Sequence, residues 1–375
     1  MTNKTARSAA MFETLAVLHL PALAPEGDQR YVRPQVEQAL AGLQHLSMEE
    51  WSDFFRFAEL QRTGLRTLHA LLRWVRCGAF LPGFQSVEDL EHRAKAEQEK
   101  VEYALLGLSR VVRALELTGQ SPVVIKTLDH WPDIGSDLDL FTSASECDTV
   151  RVMRSELQAE PQPQSWGDRL AHKWNFRLPG LPQLLEIHVG CLGQTGEQSE
   201  LPAHLMKTSV VRDLGSLRFR VPAPEEQVTI ATLQRMYRHF YIRFTDILNL
   251  TRLVRTGRLD FVRLRNSARR WSIWPGVASL LKITSDYNER AGACALPLPE
   301  FVLDAARFGA DVTYVGKQFL RFPMLPQGSQ LFLEQLIATG ASRRFRAAAR
   351  LSLLPALATA AFVNQRITGD DKGIW

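Results

Sequence analysis

Cysteine is scarce in this chain: Cys77, Cys147, Cys191 and Cys294 are the only four in 375 residues, and they stand far apart. They match neither a zinc spacing nor the dense framework of a secreted mini-domain, and so point to a reducing, cytoplasmic setting. Long apolar runs are lacking too. The nearest, Leu351 to Val363, is shorter than a membrane span and contains Pro355, which reads as a core or interfacial helix. Near the start, Lys4 and Arg7 precede an apolar stretch ending at Ala24, as in a secretory signal. Glu13 and His19 interrupt it, so an ordinary first helix is expected. Nothing in this pattern calls for stable membrane association. Internal repeats and low-complexity tracts are missing as well. With 45% hydrophobic residues the chain can fill two or three globular units.

Lysine is absent from one long stretch. Between Gln227 and Arg270 there are ten arginines, no lysine, and only Asp246 and Asp260 as acids, against a modest net charge of +5 overall. Such an excess suits phosphate or nucleic acid. It equally suits a helical surface whose arginines pair with acids elsewhere in the fold.

What is present divides the chain in three. The first third reads as helices. Ser47 with Glu50 forms a capping-box start ahead of Trp51, Phe54, Phe55 and Ala58, and Leu65, Leu68, Leu72 and Val75 mark a second helix. A third, from about Val87, carries Val101, Leu105, Leu108, Val112 and Leu115 on one face and stops before Gly119. Strand-like runs follow at Val123–Ile125, Leu138–Phe141, Trp174–Leu178, Leu184–Val189 and Leu217–Val221, with a hairpin turn at Pro179 to Pro182. Val221-Pro222-Ala223-Pro224 closes this segment, and a helix led by Glu225 and Glu226 begins. Everything beyond is expected to be helical, with a proline-rich connector at Leu296 to Pro299. The boundaries are therefore 1–118, 119–222 and 223–375.

The chemistry sits in Gly135-Ser136-Asp137-Leu138-Asp139-Leu140. Successive side chains of a strand point to opposite faces, so Asp137 and Asp139 share one side, where two neighbouring anions call for a cation. Magnesium prefers hard oxygen ligands and usually takes one or two carboxylates plus phosphate and water. Glu186, in Leu184-Leu185-Glu186-Ile187-His188-Val189, interrupts an apolar strand and is the candidate third carboxylate. His188 shares its face, either as a half-buried structural histidine or as a group orienting a carboxylate. Three carboxylates suffice for two metal ions, and Glu186 could also take up a proton from an acceptor.

These residues resemble the polymerase-β-like nucleotidyltransferase superfamily, which carries a Gly-Gly/Ser turn, then an Asp-x-Asp strand, then a distant third carboxylate. The turn here departs from that pattern, because Lys126-Thr127 stands in place of Gly-Ser. That departure is similar to the bacterial family called uncharacterised nucleotidyltransferases. Ile125-Lys126-Thr127, His130-Trp131-Pro132, Asp137-Leu138-Asp139-Leu140, Glu186-Ile187-His188 and Arg243-Phe244-Thr245-Asp246-Ile247 follow its outline. The resemblance implies an α+β fold, with a small mixed-sheet nucleotidyltransferase core between N- and C-terminal helical regions. It also implies transfer of a nucleoside monophosphate from a nucleoside triphosphate such as ATP, with release of pyrophosphate. Asp137, Asp139 and Glu186 would hold Mg²⁺, as two ions or with Mn²⁺ as a substitute. Lys126 and Thr127 would face the phosphates, with Ser136 and Lys173 as further nucleotide contacts.

Weaker candidates are Arg169 beside Lys173, Trp131 as a platform for a base, and Arg235, Arg238, His239 and Arg243 at helical spacings that could look into the cleft. Arg343, Arg344, Arg346 and Arg350 precede the last apolar run as either a surface-seeking or a solvated helix face. A small-molecule acceptor is expected ahead of transfer RNA or protein, the acceptors of a toxin-like enzyme. A nucleotide-binding protein without turnover is the third reading, and three converging carboxylates speak against it.

Overall fold

The computed structural model describes residues 3–20, 33–76, 78, 87–193 and 195–356. Helices α1 (Asn3–His19), α2 (Arg33–Gln44), α3 (Met48–Leu60), α4 (Gly64–Arg76) and α5 (Val87–Glu116) open the chain. In α3 the Ser47 hydroxyl accepts from the Glu50 N–H, and the Glu50 carboxylate accepts from the Ser47 N–H. Each partner thus satisfies a backbone donor that the first helical turn would leave open. The helix buries Trp51, Phe54, Phe55, Phe57 and Ala58. Past the end of α5, Gly119 adopts φ +78°, and its N–H donates to the Glu116 carbonyl. That left-handed conformation is one a glycine takes at little cost.

The fold is α+β, with a mixed five-stranded sheet between helical regions. Strands β1 (Val123–Val124), β2 (Asp137–Thr142), β3 (Glu160–Pro161), β4 (Lys173–Arg177) and β5 (Leu184–Val189) stand in the order β1-β2-β5-β4-β3. Only β2 and β5 run parallel; β4 and β5 form the expected hairpin. The path from β2 to β4 passes through α6 (Glu146–Leu157) and α7 (Trp166–Leu170). Alternation along β2 and β5 sorts the side chains. Leu138, Leu140, Leu185 and Ile187 are fully buried in a core with Leu108, Val111 and Leu115 of α5 and Met153 of α6. Each such leucine or isoleucine contributes roughly 1.5–3 kcal/mol by leaving water. The acids on the opposite face are only half-buried.

After the sheet come α8 (Leu201–Thr208), the ribbon of β6 (Val210–Leu214) and β7 (Leu217–Val221), α9 (Pro224–Gln234) and a π-helical turn at Arg235–His239. Helices α10 (Phe244–Arg255), α11 (Phe261–Arg270), α12 (Trp274–Arg290), α13 (Glu300–Leu303), α14 (Ser329–Ala341) and α15 (Phe345–Ser352) follow. The expectation of helix alone beyond residue 223 is corrected by a small sheet of β8 (Tyr241–Ile242), β9 (Tyr314–Gly316) and β10 (Phe319–Arg321), ordered β8-β10-β9. Strands this short are too brief to show alternation, and Ile242 finds its partner, Leu320, only through the tertiary fold. Strand β3 was invisible in the sequence for the same reason, and β6 because Val210-Val211-Arg212-Asp213-Leu214 does not alternate apolar with polar.

The N- and C-terminal helical regions share one apolar core, where Phe12 of α1 meets both Phe244 of α10 and Tyr287 of α12 with ring centroids 5.5 Å apart. Helix α5 belongs to both cores, with Leu90, Ala94 and Val101 in the helical one and Leu105 to Leu115 under the sheet. It acts as the strut between them. Among the described residues no helix is long and apolar enough to cross a membrane. The predicted run from Leu351 to Val363 lies outside the described residues beyond 356, as do Cys77 and the stretch around Ala24.

Candidate functional site

The parallel pairing of β2 and β5 sets Asp139 directly opposite Glu186, with Asp137 opposite Leu184. Beside them, β1 ends in a tight turn centred on Lys126, at φ +60° and ψ −50°, closed by the Thr127 N–H donating to the Ile125 carbonyl at 2.6 Å. This is the γ-turn conformation that residues with a side chain adopt only under strain, at a cost of about 1–3 kcal/mol. Thr127 then anchors the turn to β2, its buried hydroxyl accepting from the Asp139 N–H at 2.7 Å.

The strained turn drives the Lys126 ammonium into the carboxylates. Its Nζ lies 2.6 Å from Asp139 Oδ1 and 3.6 Å from Glu186 Oε1. Lys173, on the neighbouring β4, stands 3.1 Å from Glu186 Oε2 and 2.8 Å from Asp168 Oδ1. His188 Nε2 is 3.0 Å from Glu186 Oε1 and 3.9 Å from Asp139 Oδ1. Asp139, Glu186 and His188 each offer a ligand atom, all within 4.8 Å of one another, which is a spacing that could hold a metal ion. Asp137 stands just outside this cluster and accepts from the Ser136 hydroxyl at 3.1 Å. Burial works to raise Glu186, but Lys126, the His188 hydrogen bond and Lys173 outweigh it and hold the group well below the usual carboxylate range. At Asp137 the Ser136 hydrogen bond and Arg62 are outweighed. Burial, with Asp139 and Glu186 nearby, pushes its carboxyl up.

A cleft of about 300 Å³ opens on these acids. The rest of its lining is rich in cations: Arg62, beside Gly135 and Ser136, and Arg235, Arg238 and Arg243, with His239 and Tyr241. The π-helical turn explains the density. Widening one helical turn shifts the register, and Arg235, Arg238 and His239 then all line the cleft. Arg235 is buried in an ion pair with Asp246 at 2.6 Å, and Asp246 also accepts from the Arg243 N–H at 2.8 Å. Arg62, Arg238 and Arg243 form no ion pair among the described residues. Burial and then Arg243 lower Arg62, burial and then Arg235 lower Arg243, and His239 falls to about 2 through burial followed by Arg238 and Arg235. Burial is the largest cause of each shift and neighbouring cations add to it, while Asp137 and Asp139 work against it at Arg62 and Asp246 at Arg243.

One network ties the walls together. The buried Asp133 carboxylate accepts from the Leu65 N–H and from Arg66 Nε, both at 2.7 Å. Arg66 also donates to the His130 carbonyl and to the Thr245 hydroxyl. Helix α4, the loop after Lys126 and α10 are thereby joined at the cleft.

The predicted residues Lys126, Thr127, Asp137, Asp139, Lys173 and Glu186 all line this cleft, and Ser136 adjoins it with its hydroxyl accepting from Arg62 at 3.0 Å. Lys126 and Lys173 point at carboxylates rather than standing free for phosphate. Trp131 packs against both hydrophobic cores, away from the cleft lining. Arg169 lies over the Trp166 ring at 5.9 Å and is likewise outside it. Of the arginines after Gln227, Arg263 pairs with the buried Glu225, and Arg270 with Glu200 on the surface. Sequence reasoning missed Arg62 and Asp168. Arg62 sits in the turn between α3 and α4 and reaches the cleft because Gly135 leaves room: a Cβ there would lie 2.5 Å from Arg62 Nη1. Asp168 carried a readable signal, the Ser165–Asp168 capping box of α7, but that signal speaks of a helix start. No protein-family model, curated protein or solved structure matches the chain.

Proposed function

We propose that the chain is a metal-dependent nucleotidyltransferase that moves a nucleoside monophosphate from a triphosphate to a small-molecule hydroxyl. One observation carries this reading: a carboxylate-bearing strand pair shares one cleft with three guanidinium groups that form no ion pair among the described residues. A polyanion that also carries metal is the ligand that satisfies both. Guanidinium groups match phosphate oxygens with paired, directional donors, and lose less hydration than an ammonium would.

The donor set fits a divalent cation. Asp139 and Glu186 bring hard carboxylate oxygens, and the strain-held ammonium between them marks a position that requires positive charge. Asp139 and Glu186 would hold the ion, with Asp137 within reach of a second. When bound, it would neutralise charge on the phosphoryl oxygens. Arg62, Arg238 and Arg243 bind and orient the triphosphate, and the rigid base of Arg66, Asp133 and Asp246 keeps them in place. The acceptor oxygen attacks the α-phosphorus as the bond to the β-phosphate oxygen breaks. Pyrophosphate leaves with that electron pair, and the acceptor's proton passes by way of Glu186 to water.

The test is incubation with magnesium or manganese and α-labelled nucleoside triphosphates across a panel of alcohols, scored by pyrophosphate release and label transfer. Asp139→Asn and Glu186→Gln are expected to abolish both. Turnover that persists in the double variant would refute the assignment.

A further inference from the structure

Helices α14 and α15 carry apolar residues on two opposite sides. In α14 the row Leu331, Gln335 and Thr339 is buried, while the row Leu333, Ile337 and Ala341 is exposed. In α15 Ala347 and Leu351 are buried, while Phe345, Ala349 and, just past its end, Leu353 are exposed. Each pair of rows is offset by two residues, about 200° around a helix, so one row faces the core and the other faces away from it. Leu333, Ile337, Phe345 and Leu353 are 54%, 69%, 69% and 49% exposed, and Met324 and Leu325 in the turn before α14 are exposed too. These are six of the sixteen large apolar side chains that stand exposed among the described residues. Single exposed apolar residues are ordinary, but so many gathered on two helices that pack together mark a face that something covers.

The charge on this segment is almost all of one sign. From Met324 to Ala356 the chain has four arginines and one acid, Glu334, which pairs with Arg307 at 2.9 Å. Arg350 turns inward to the Gly196 carbonyl. Arg343 and Arg346 are exposed and form no ion pair among the described residues. Arg344 lies over the Trp271 ring and donates to the Arg270 carbonyl at 3.1 Å, which brings the exposed Arg269 and Arg270 of α11 alongside.

Apolar rows and arginines together select the cover. A second copy would set this face against itself across a twofold axis and crowd the arginines of both copies. Nucleic acid would take up the arginines and leave the apolar rows in water. An anionic lipid surface satisfies both, because leucine, isoleucine and phenylalanine enter the acyl boundary while arginine stays among the head groups.

We propose that the outer face of α14 and α15 seats the protein reversibly on an anionic lipid surface. None of these outward residues lines the carboxylate cleft, so the proposal stands apart from the nucleotidyltransferase reading.

The experiment sediments the full chain with vesicles of phosphatidylcholine alone and of phosphatidylcholine mixed with phosphatidylserine. Binding is expected to the mixed vesicles only, weakening as salt is raised. The double variant Arg343→Glu with Arg346→Glu, and separately Ile337→Ser with Phe345→Ser, are each expected to weaken it by at least about tenfold. All four positions are exposed, and thermal melts confirm that the variants fold. No binding of the unmodified chain to the mixed vesicles overturns the proposal. So does binding that survives both double variants, which would put the contact elsewhere on the chain. Binding lost with the arginines but kept with both serines would reduce it to charge attraction and overturn the seating of the apolar rows. Analytical ultracentrifugation covers the remaining case: a dimer that the two serines dissolve, in a chain that ignores vesicles, would make a second copy the occupant.

Discussion

Lys126 Nζ lies 2.6 Å from Asp139 Oδ1, so the residue expected to face phosphate instead neutralises the carboxylate expected to hold metal. Two cations cannot share that position. A divalent ion held by Asp139 and Glu186, as proposed, would therefore compete with the ammonium that the γ-turn at Lys126 aims at them.

Removing the ammonium should accordingly strengthen metal binding. Lys126→Met is expected to lower the Kd for Mn²⁺ by about tenfold, the effect of relieving one close like-charge contact partly screened by solvent. Electron paramagnetic resonance of bound Mn²⁺ reads this directly. A Kd unchanged or raised would mean that the lysine supports the site rather than competing for it.

The arginine wall should separate binding from stability. Arg238 has no ion pair among the described residues, so Arg238→Ala is expected to weaken triphosphate binding about tenfold while shifting folding stability by less than about 0.5 kcal/mol. Arg235→Ala should behave differently, because it leaves the buried Asp246 carboxylate without its partner at 2.6 Å. A loss of about 3–5 kcal/mol is expected from denaturant melts. Similar stability losses in the two variants would show that Arg238 is structural.

His239 reports on the ligand. Burial and the surrounding arginines hold it at about 2, which keeps the ring neutral at ordinary pH. A bound polyanion favours the protonated form, so its pKa should rise when triphosphate is added. Proton NMR titration of the imidazole with and without a non-hydrolysable triphosphate measures the shift. A pKa that stays low at saturating ligand would place the phosphates elsewhere.

His19 governs part of the acid stability. It is buried, lies 3.1 Å from the Thr67 hydroxyl, and is lowered to about 3 by burial and then by Arg66 and Arg73. The unfolded chain titrates this group near 6.5, so the unfolded state binds more protons between the two values. The contribution is complete above about pH 6.5 and is lost as pH falls toward about 3. Between about pH 7 and pH 4.5 the unmodified chain should lose roughly 2 kcal/mol more than His19→Gln, seen in urea melts at each pH. Parallel losses would show that His19 is not buried as a neutral ring.

The sequence by itself determined the elements that repeat a local signal. Ser47 and Glu50 start α3, Gly119 follows the end of α5, and alternating apolar residues make β2 and β5 with Asp137, Asp139 and Glu186 on one face. Local propensity and side-chain period suffice for these, because each is written within one or two turns or along one strand. The tertiary structure decided what those acids face. Lys126 was aimed at Asp139 by a γ-turn whose strain the surrounding packing sustains, and Arg62 reached the cleft through the space left at Gly135. The π-helical turn brought Arg235, Arg238 and His239 to one wall, and the pairing of Ile242 with Leu320 set β8 beside them. The helical spacing of Arg235, Arg238 and His239 was legible in the sequence, but the other relations have neither a period nor a neighbour there. They arise from contacts between segments far apart in the chain, whose burial and charge balance exist only once the cores have closed.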